Sequence, residues 1–294
     1  MTTAATVLNR AARQLLAGTV EERNKLAATV NASATSITLS YNLQGIRAGS
    51  VFECESELMY VWEAEPNTKT VTVERGYLGT TAASHASGAI ATVNPRFPRS
   101  QMLDALNADL DDLSSTFNGL FRVVVQNVTY NGSDRQVNLT SATSVIELMD
   151  VRLRYTADDF PIIRGVRLQR DLPTADFASG FAIVFDEPVM AGTLRVTYKA
   201  PFTRASSESS DLTTDCFLPA TCDDIVEMGV MLRMMNAREV KRNFIETQSD
   251  TRRSDEVPPG AVRDSTTNIQ RLRRERITAE AGRLKAQYPQ KFRR

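Results

Sequence analysis

Apolar residues at helical spacing predict a helix close to the start of the chain. They recur three, four and seven positions apart, which places them on one helical face, and they are Val7, Leu8, Ala11, Leu15 and Leu16. Gly18 predicts the end of this helix. Thr19, with Glu22 three positions later, forms a capping box that predicts a second helix. We therefore expect two helices within residues 1–30.

Polar and apolar residues alternate in the region that follows. Residues 36–40 and 70–73 alternate with period two, and glycine and asparagine residues separate such stretches. Pro95 and Pro98 mark the end of the pattern. The alternation predicts a small all-β module at residues 31–97.

A further helix and a second β region are predicted after the two prolines. The helix occupies residues 98–119 and is capped by Ser100, and its apolar positions are Leu103, Leu106, Leu110, Leu113 and Phe117. Strands are then predicted at residues 122–130, 151–155, 165–169, 181–185 and 192–198. Because no helical pattern separates these strands, residues 120–205 are expected to form a β-sandwich or an open barrel.

A polar linker and a long helix complete the predicted architecture. The linker lies within residues 206–214, and Thr221 with Asp224 caps a helix that reaches residue 246, so that linker and helix occupy residues 206–248. The fold class expected is α+β. A helical hub (about residues 3–30, 100–118 and 221–246) carries two inserted all-β modules and a C-terminal tail that is partly extended and partly helical.

The C-terminal extension at residues 249–294 is strongly basic, although the whole chain has no formal net charge. From Arg252 onward, twelve Lys and Arg residues stand against five Asp and Glu residues. Residues 249–267 are expected to be extended or flexible, and residues 268–288 to form a helix whose apolar face is too narrow to stabilise it alone.

We expect this last helix to dock on a partner protein or a neighbouring subunit. The docking residues predicted are Ile269, Leu272, Arg273, Arg276, Ile277, Leu284 and Tyr288. A solvated charged face is an alternative. Non-specific contact with DNA is a weaker one, because Glu275 and Glu280 interrupt the basic stripe and aromatic residues are scarce.

The sequence offers little support for catalysis. Glu53, Glu55 and Glu57 alternate along one predicted strand, a pattern compatible with paired catalytic carboxylates or an oxygen-ligand metal site, but a solvated face is favoured. His85 is the only histidine, and its place in a glycine-bounded turn favours a structural hydrogen bond. Phosphate-binding glycine loops and zinc-protease or serine-hydrolase motifs are absent from the sequence. We expect no enzyme activity, no cofactor and no catalytic or metal-binding residues.

Composition and the cysteine positions further limit the class of protein. The chain is 42% hydrophobic and 24% charged, which is ordinary for a folded protein. Its apolar runs fall far short of the roughly 20 residues that cross a bilayer, and its first residues do not resemble a secretory signal, so neither a membrane span nor secretion is expected. Cys54, Cys216 and Cys222 lack zinc-site spacing and cannot all pair, which favours reduced, packed thiols.

The most specific motif lies in the first β module. A strand with Glu57 and Tyr60 is followed by T-V-E-R-G-Y-L-G-T-T-A, beginning at Thr72, and then by His85 and Gly88. Glycines favour the left-handed backbone of tight turns, and we expect Arg75, Gly76, Gly79, His85 and Gly88 to build a structural hairpin in which Arg75 and His85 bond across the loop. The motif resembles a segment that recurs in virion proteins of tailed bacteriophages.

The predicted layout also resembles the head-to-tail connector proteins, or neck adaptors, of these phages. That resemblance implies a ring of about a dozen copies, closed by head-to-tail contacts, that binds the portal protein and the next neck or tail protein. It also implies a channel for DNA, synthesis in the host cytoplasm and a final location in the virion neck between head and tail. Many adaptors are shorter and lack a second β domain, and the hairpin also occurs in tail and fibre components. A tail, baseplate or fibre-attachment protein is therefore the alternative.

Overall fold

The computed structural model describes residues 2–140, 142–156, 159–246 and 261–288. These ranges contain four α-helices and twelve strands, and the strands form three antiparallel sheets. The chain divides into two compact units. Unit 1 comprises Met1–Asp109 and Ala205–Arg274, and unit 2 comprises Leu110–Arg204 and Glu275–Arg294.

Unit 1 contains a six-stranded sheet. Its strands are β1 (Arg23–Lys25), β2 (Ser36–Thr38), β3 (Val51–Cys54), β4 (Glu57–Glu65), β5 (Thr70–Glu74) and β6 (Ile90–Val93), arranged in the order β1-β6-β3-β4-β5-β2. An isolated bridge between Leu26 and Leu39 joins the two ends of this order, so the sheet curls until its edges meet. Apolar residues of alternate strand positions, among them Phe52, Met59 and Val71, fill the interior.

Helices α1 (Ala4–Leu16), α2 (Arg99–Leu113) and α3 (Asp223–Glu246) begin in unit 1. The Thr3 side chain caps α1 by accepting a hydrogen bond from the Thr6 amide, and the left-handed backbone of Ala17 and Gly18 ends the helix. The predicted first helix and its stop are confirmed. The long helix predicted to end at residue 246 is also confirmed, with its start at Asp223.

Unit 2 contains two three-stranded sheets. The strands are β7 (Arg122–Tyr130), β8 (Gln136–Asn138), β9 (Glu147–Leu153), β10 (Val166–Gln169), β11 (Ala182–Phe185) and β12 (Gly192–Ala200). The sheet orders are β7-β12-β9 and β10-β11-β8. One apolar core draws on both sheets, with Val166 and Phe185 from one and Val151 and Val196 from the other. The five strands predicted here are present, and β8 was not predicted.

Helix α4 (Ala261–Gln287) begins about seven residues before the predicted start of the last helix. Of the stretch predicted to be extended, residues 249–260 lie outside the described residues, whereas residues 261–267 are helical. Among the helices that the structure describes, none combines the length and the apolar character needed to span a bilayer.

The expected fold class, a helical hub with inserted β modules, is wrong. The described chain is a mixed and β-rich protein whose antiparallel sheets build an apolar core in each unit. One of the four helices proposed for the hub is also absent, because residues 19–30 do not form a helix but contribute strand β1 and a bridge from Val30 to His85.

Tertiary partners explain the absence of the second helix. Instead of capping a helix, the Glu22 carboxylate accepts a hydrogen bond from the Gly45 amide at 2.9 Å. The Glu21 carboxylate accepts one from the Arg96 amide at 3.0 Å, and Asn24 bonds to the backbone around Tyr41. These long-range contacts favour the extended conformation over the local capping preference.

Helix α2 is also shorter than predicted. It ends at Leu113, where Asn118 donates to the carbonyl of Asp112 and Gly119 takes a positive φ of 69°. Phe117, assigned to the buried face of the longer helix, is 83% exposed.

Candidate functional site

The sheet of unit 1 brings together Glu57, Arg75 and His85, which we call the Glu57 cluster. Glu57 is the first residue of β4, and Arg75 directly follows β5, which pairs with β4. His85 reaches the cluster because its backbone pairs with Val30 through two hydrogen bonds of 2.8 and 2.9 Å. Three separate segments of the hairpin motif therefore converge on one carboxylate.

The Glu57 carboxylate is buried and surrounded by hydrogen-bond donors. Arg75 binds it with two parallel contacts, from Nε to Oε1 at 2.7 Å and from Nη2 to Oε2 at 2.8 Å. The backbone amides of Gly76 and Ala83 donate to it at 3.1 and 3.0 Å, and His85 Nε2 lies 2.8 Å from Oε2. Both carboxylate oxygens are therefore fully engaged by the hairpin itself.

Arg75 uses all five of its N–H donors inside the module. Beyond the two bonds to Glu57, Nη1 donates to the carbonyls of Asn31 and Ala34 at 2.6 and 3.0 Å, and Nη2 donates to the carbonyl of Ala83 at 2.6 Å. The guanidinium thus ties the end of β5 to the loop before β2 and to the loop before His85. The expectation that Arg75 and His85 bond across the loop is met through their shared partner, Glu57.

His85 is held between two carboxylates. Its Nδ1 lies 3.0 Å from Glu55 Oε2, and its Nε2 lies 2.8 Å from Glu57 Oε2, while its side chain is 1% exposed. The ring thus bridges Glu55, in the turn before β4, and Glu57, the first residue of β4.

The electrostatics of Glu57 follow from these contacts. Burial alone would raise its pKa from the ordinary value of 4.5, but the side chains of Arg75 and His85 and two backbone amides outweigh burial and lower the pKa to about 2. Glu57 is therefore ionised at neutral pH. An ionised, fully hydrogen-bonded carboxylate has no proton to give and no lone pair directed at a substrate.

The glycines of the motif take the predicted left-handed backbone. The φ angles of Gly76, Gly79 and Gly88 are 66°, 80° and 83°. At Gly76 a Cβ atom would also lie 2.8 Å from the Thr80 carbonyl oxygen, whereas at Gly79 it would meet nothing within 4 Å. Gly76 is thus required by both backbone angle and space.

The neighbouring glutamates differ from the sequence-based interpretation. Glu53 and Glu57 are buried, and only Glu55, at 62% side-chain exposure, lies in solvent. The favoured solvated face is therefore wrong for two of the three residues. Burial raises the pKa of Glu53 to about 8, against the opposing hydrogen bond that it accepts from the Arg99 amide, so Glu53 is largely protonated at neutral pH.

Glu53 borders a cleft of about 630 Å³ in unit 1. Arg99 crosses this cleft and binds Glu208 through Nη2, and its Nη1 donates to Asn9 of α1 at 2.7 Å. Arg99 thus links α1 to strand β3, since its amide also donates to Glu53. Within the described ranges, no group of three or more His, Cys, Asp or Glu side chains could hold a metal ion.

The thiols follow the predicted behaviour. Cys54, Cys216 and Cys222 form no disulfide and are buried. Burial raises the pKa of Cys54 to about 12 and that of Cys216 to about 11, which keeps both as unreactive thiols.

A second feature, which the sequence reasoning missed, is an aromatic surface formed by Tyr60, Trp62, Tyr77 and Leu78. The Tyr60 ring lies 4.8 Å from Trp62 and 5.3 Å from Tyr77, centroid to centroid. Trp62 is 60% exposed and Leu78 is 67% exposed. One sequence signal could have predicted this surface. Trp62 is the only tryptophan in the chain, and it lies in a strand of amphipathic pattern.

The predicted docking residues of α4 are in different environments. Ile277 and Leu284 are buried in the folded chain, Ile269 and Arg276 are partly exposed, and Leu272 and Tyr288 are 48% and 39% exposed. Arg273 is mostly buried and donates from Nη2 to Asp109 at 2.7 Å. In this conformation only part of the predicted set is accessible, and its role in docking stays a prediction.

Comparisons with known proteins provide no further assignment. The chain matches no model of a known protein family and no curated protein sequence.

Proposed function

We propose that the chain is a structural subunit of a tailed-phage virion, and that it belongs to the adaptor ring joining the portal to the tail. The observation that supports this most is the hairpin that resembles phage virion proteins, together with what its residues do. Glu57, Arg75 and His85 saturate one another, so the motif maintains a shape and has no group directed at a substrate.

The Glu57 cluster favours a mechanical role over a catalytic one. A general acid or base needs a proton in transit and access to the reacting atom. Glu57 is 1% exposed and engaged by the hairpin on both oxygens, and Arg75 is 7% exposed. Such a network fixes a loop rigidly, which a subunit needs if its contacts are to repeat with the same geometry around a ring.

In the proposed assembly, copies associate head to tail and the portal sets the rotation between them. A heterologous contact gives a ring only if its rotation closes, and otherwise gives a filament. The portal and the next neck or tail protein are the proposed partners on either side. The basic C-terminal extension contacts the portal or a neighbouring copy, and the central opening passes DNA.

The folded state of α4 refines the docking hypothesis. Because Ile277 and Leu284 are buried, they can reach a partner only if the second half of the helix leaves its position. Leu272 and Tyr288 are accessible without any rearrangement. We therefore assign the first contact with a partner to Leu272 and Tyr288.

A nonsense mutation early in the coding sequence tests the function. We expect infected cells to accumulate DNA-filled heads and separate, complete tails in electron micrographs, because only the joint is missing. Complementation by the intact chain should restore joined particles. Joined particles that lack a tail tip or fibres would instead indicate the tail or baseplate alternative, and normal infectious particles would contradict a structural role.

A further inference from the structure

The aromatic surface of unit 1 is presented by two unusual pieces of backbone. Trp62 lies at a β-bulge, because Val61 pairs with Val73 and Glu63 with Thr72, which leaves Trp62 without a partner in β5. Bulges redirect a side chain out of the regular strand pattern. Here the bulge leaves Trp62, a large aromatic side chain, in solvent beside Tyr60.

Leu78 is held in a conformation that is costly for a non-glycine residue. Its φ and ψ are 54° and 32°, inside the short turn Tyr77–Gly79. The Thr80 hydroxyl closes this turn by donating to the Tyr77 carbonyl at 3.0 Å, and it accepts a hydrogen bond from the Leu58 amide at 3.1 Å. Strain retained at an exposed apolar residue points to a role for that residue in binding.

The exposed charges on the two strands that carry Tyr60 and Trp62 are negative. Strands β4 and β5 contain no Lys or Arg, and their exposed charges are Glu63, Glu65 and Glu74. Glu74 is the cross-strand partner of Tyr60, and Glu63 follows Trp62. An apolar centre of aromatic residues with a charged rim is the usual composition of a protein interface, and the part of the rim that β4 and β5 supply is acidic.

The chain itself contains a segment of the complementary chemistry. Residues 285–294, with the sequence K-A-Q-Y-P-Q-K-F-R-R, carry four basic residues, no acidic residue and two aromatic residues. Of these residues, 289–294 lie outside the described residues. Lys and Arg side chains pair with carboxylates and also bind the faces of Trp and Tyr rings.

We propose that the aromatic surface of one copy binds residues 285–294 of a second copy. This inference rests on the proposed function and deepens it, because it names a heterologous contact from which a ring can be built. Tyr288 and Phe292 supply apolar contacts to Trp62 and Leu78, and the basic residues face Glu63 and Glu74. The aromatic surface and residues 285–294 are different parts of the chain. Each copy can therefore bind one neighbour through its aromatic surface and a second neighbour through its C-terminal segment.

Self-association of the full chain tests the contact. We expect sedimentation velocity to show oligomers whose fraction grows with concentration, and the fluorescence of Trp62, the single tryptophan, to shift to shorter wavelength in parallel. Reversing the acidic rim with E63K/E74K, or the basic segment with R293E/R294E, should weaken association by at least about tenfold, which corresponds to about 1.4 kcal/mol. Combining both reversals in one chain should restore association.

Two control variants separate this contact from general effects. E187K reverses an exposed acid of unit 2 and should leave association unchanged. Trp62→Ala should abolish association, whereas Tyr155→Ala, which removes a 69% exposed aromatic residue of unit 2, should not.

The inference is overturned if E187K weakens association as much as E63K/E74K, or if the combined reversal restores nothing. It is also overturned if the Trp62 emission does not change with concentration, which would indicate a lone monomer or a contact within one chain. None of these results depends on where the subunit lies in a particle. The proposed function is tested separately, by the nonsense mutation.

Discussion

Arg75 and Glu57 form a buried, two-pronged ion pair whose contacts measure 2.7 and 2.8 Å. The side chains are 7% and 1% exposed, so the pair is shielded from solvent and salt. Because the guanidinium also holds three backbone carbonyls, it fixes loops that are far apart in sequence. The hairpin motif thus holds the loops around the unit 1 sheet in fixed positions.

Breaking this pair should strongly destabilise the protein. Glu57→Gln removes the charge that balances Arg75, and removing one partner of a buried pair costs about 3–5 kcal/mol. Urea denaturation followed by circular dichroism measures the change. Glu55→Gln is the matched control because Glu55 is 62% exposed, and it should cost at most about 1 kcal/mol. Equal losses of stability in Glu57→Gln and Glu55→Gln would contradict the conclusion that the buried Arg75–Glu57 pair stabilises the protein.

Lowering the pH should remove the contribution of Glu57 to the free energy of unfolding. Its pKa is about 2 in the folded protein against an ordinary 4.5, so the unfolded chain binds more protons in this range. The contribution, about 3 kcal/mol, is complete above pH 4.5 and disappears as the pH falls towards 2. Stability curves of the wild type and Glu57→Gln should therefore converge on acidification. A difference that does not change between pH 7 and 3 would contradict the low pKa.

Glu53 should make the free energy of unfolding fall, not rise, as the pH increases. Its folded-state pKa of about 8 lies above the ordinary value, so the folded protein binds the extra proton and stability declines as the pH rises from 4.5 to 8. Glu53→Gln cannot ionise and can still accept the bond from Arg99. We expect the variant to be more stable than the wild type at pH 9 and similar to it at pH 4, as measured by thermal unfolding. A wild type that is as stable as the variant at pH 9 would show that Glu53 ionises freely.

The two turn glycines should respond differently to alanine. Both need a positive φ, so each substitution costs about 1–2 kcal/mol through backbone strain. Gly76→Ala should cost more than Gly79→Ala, because its Cβ atom would also lie 2.8 Å from the Thr80 carbonyl oxygen. Denaturation midpoints measure the difference, and equal midpoints would show that the space around Gly76 is not restricted.

Local signals in the sequence were sufficient for several elements. Helix α1 is specified by the Thr3 cap, its apolar face and Gly18, and the 24-residue length of α3 follows from the spacing of its apolar positions. The strands around residues 122–130 and 192–200 follow from alternation and turns alone. The special backbone of Gly76 and Gly79 was likewise predictable, because a tight turn requires it.

Other features depend on contacts that no local pattern contains. Thr19 and Glu22 form a correct capping box, yet Glu22 binds the Gly45 amide and the segment becomes extended. Strand alternation placed Glu53 and Glu57 in solvent, but Arg75, His85 and Arg99, all distant in sequence, bury them. The aromatic surface also depends on such a contact, because Tyr77 comes from the turn after β5 and meets Tyr60 of β4 only in the folded sheet.

The position of the subunit in the particle is the most direct test of the proposed function. Particles that carry the chain with a small protein tag fused after Arg294 can be imaged by low-resolution electron microscopy. A ring of added density where the head meets the tail is the predicted result. Density along the tail, at its tip or on fibres would contradict the adaptor assignment, and absence of the chain from purified particles would contradict any structural role in the virion.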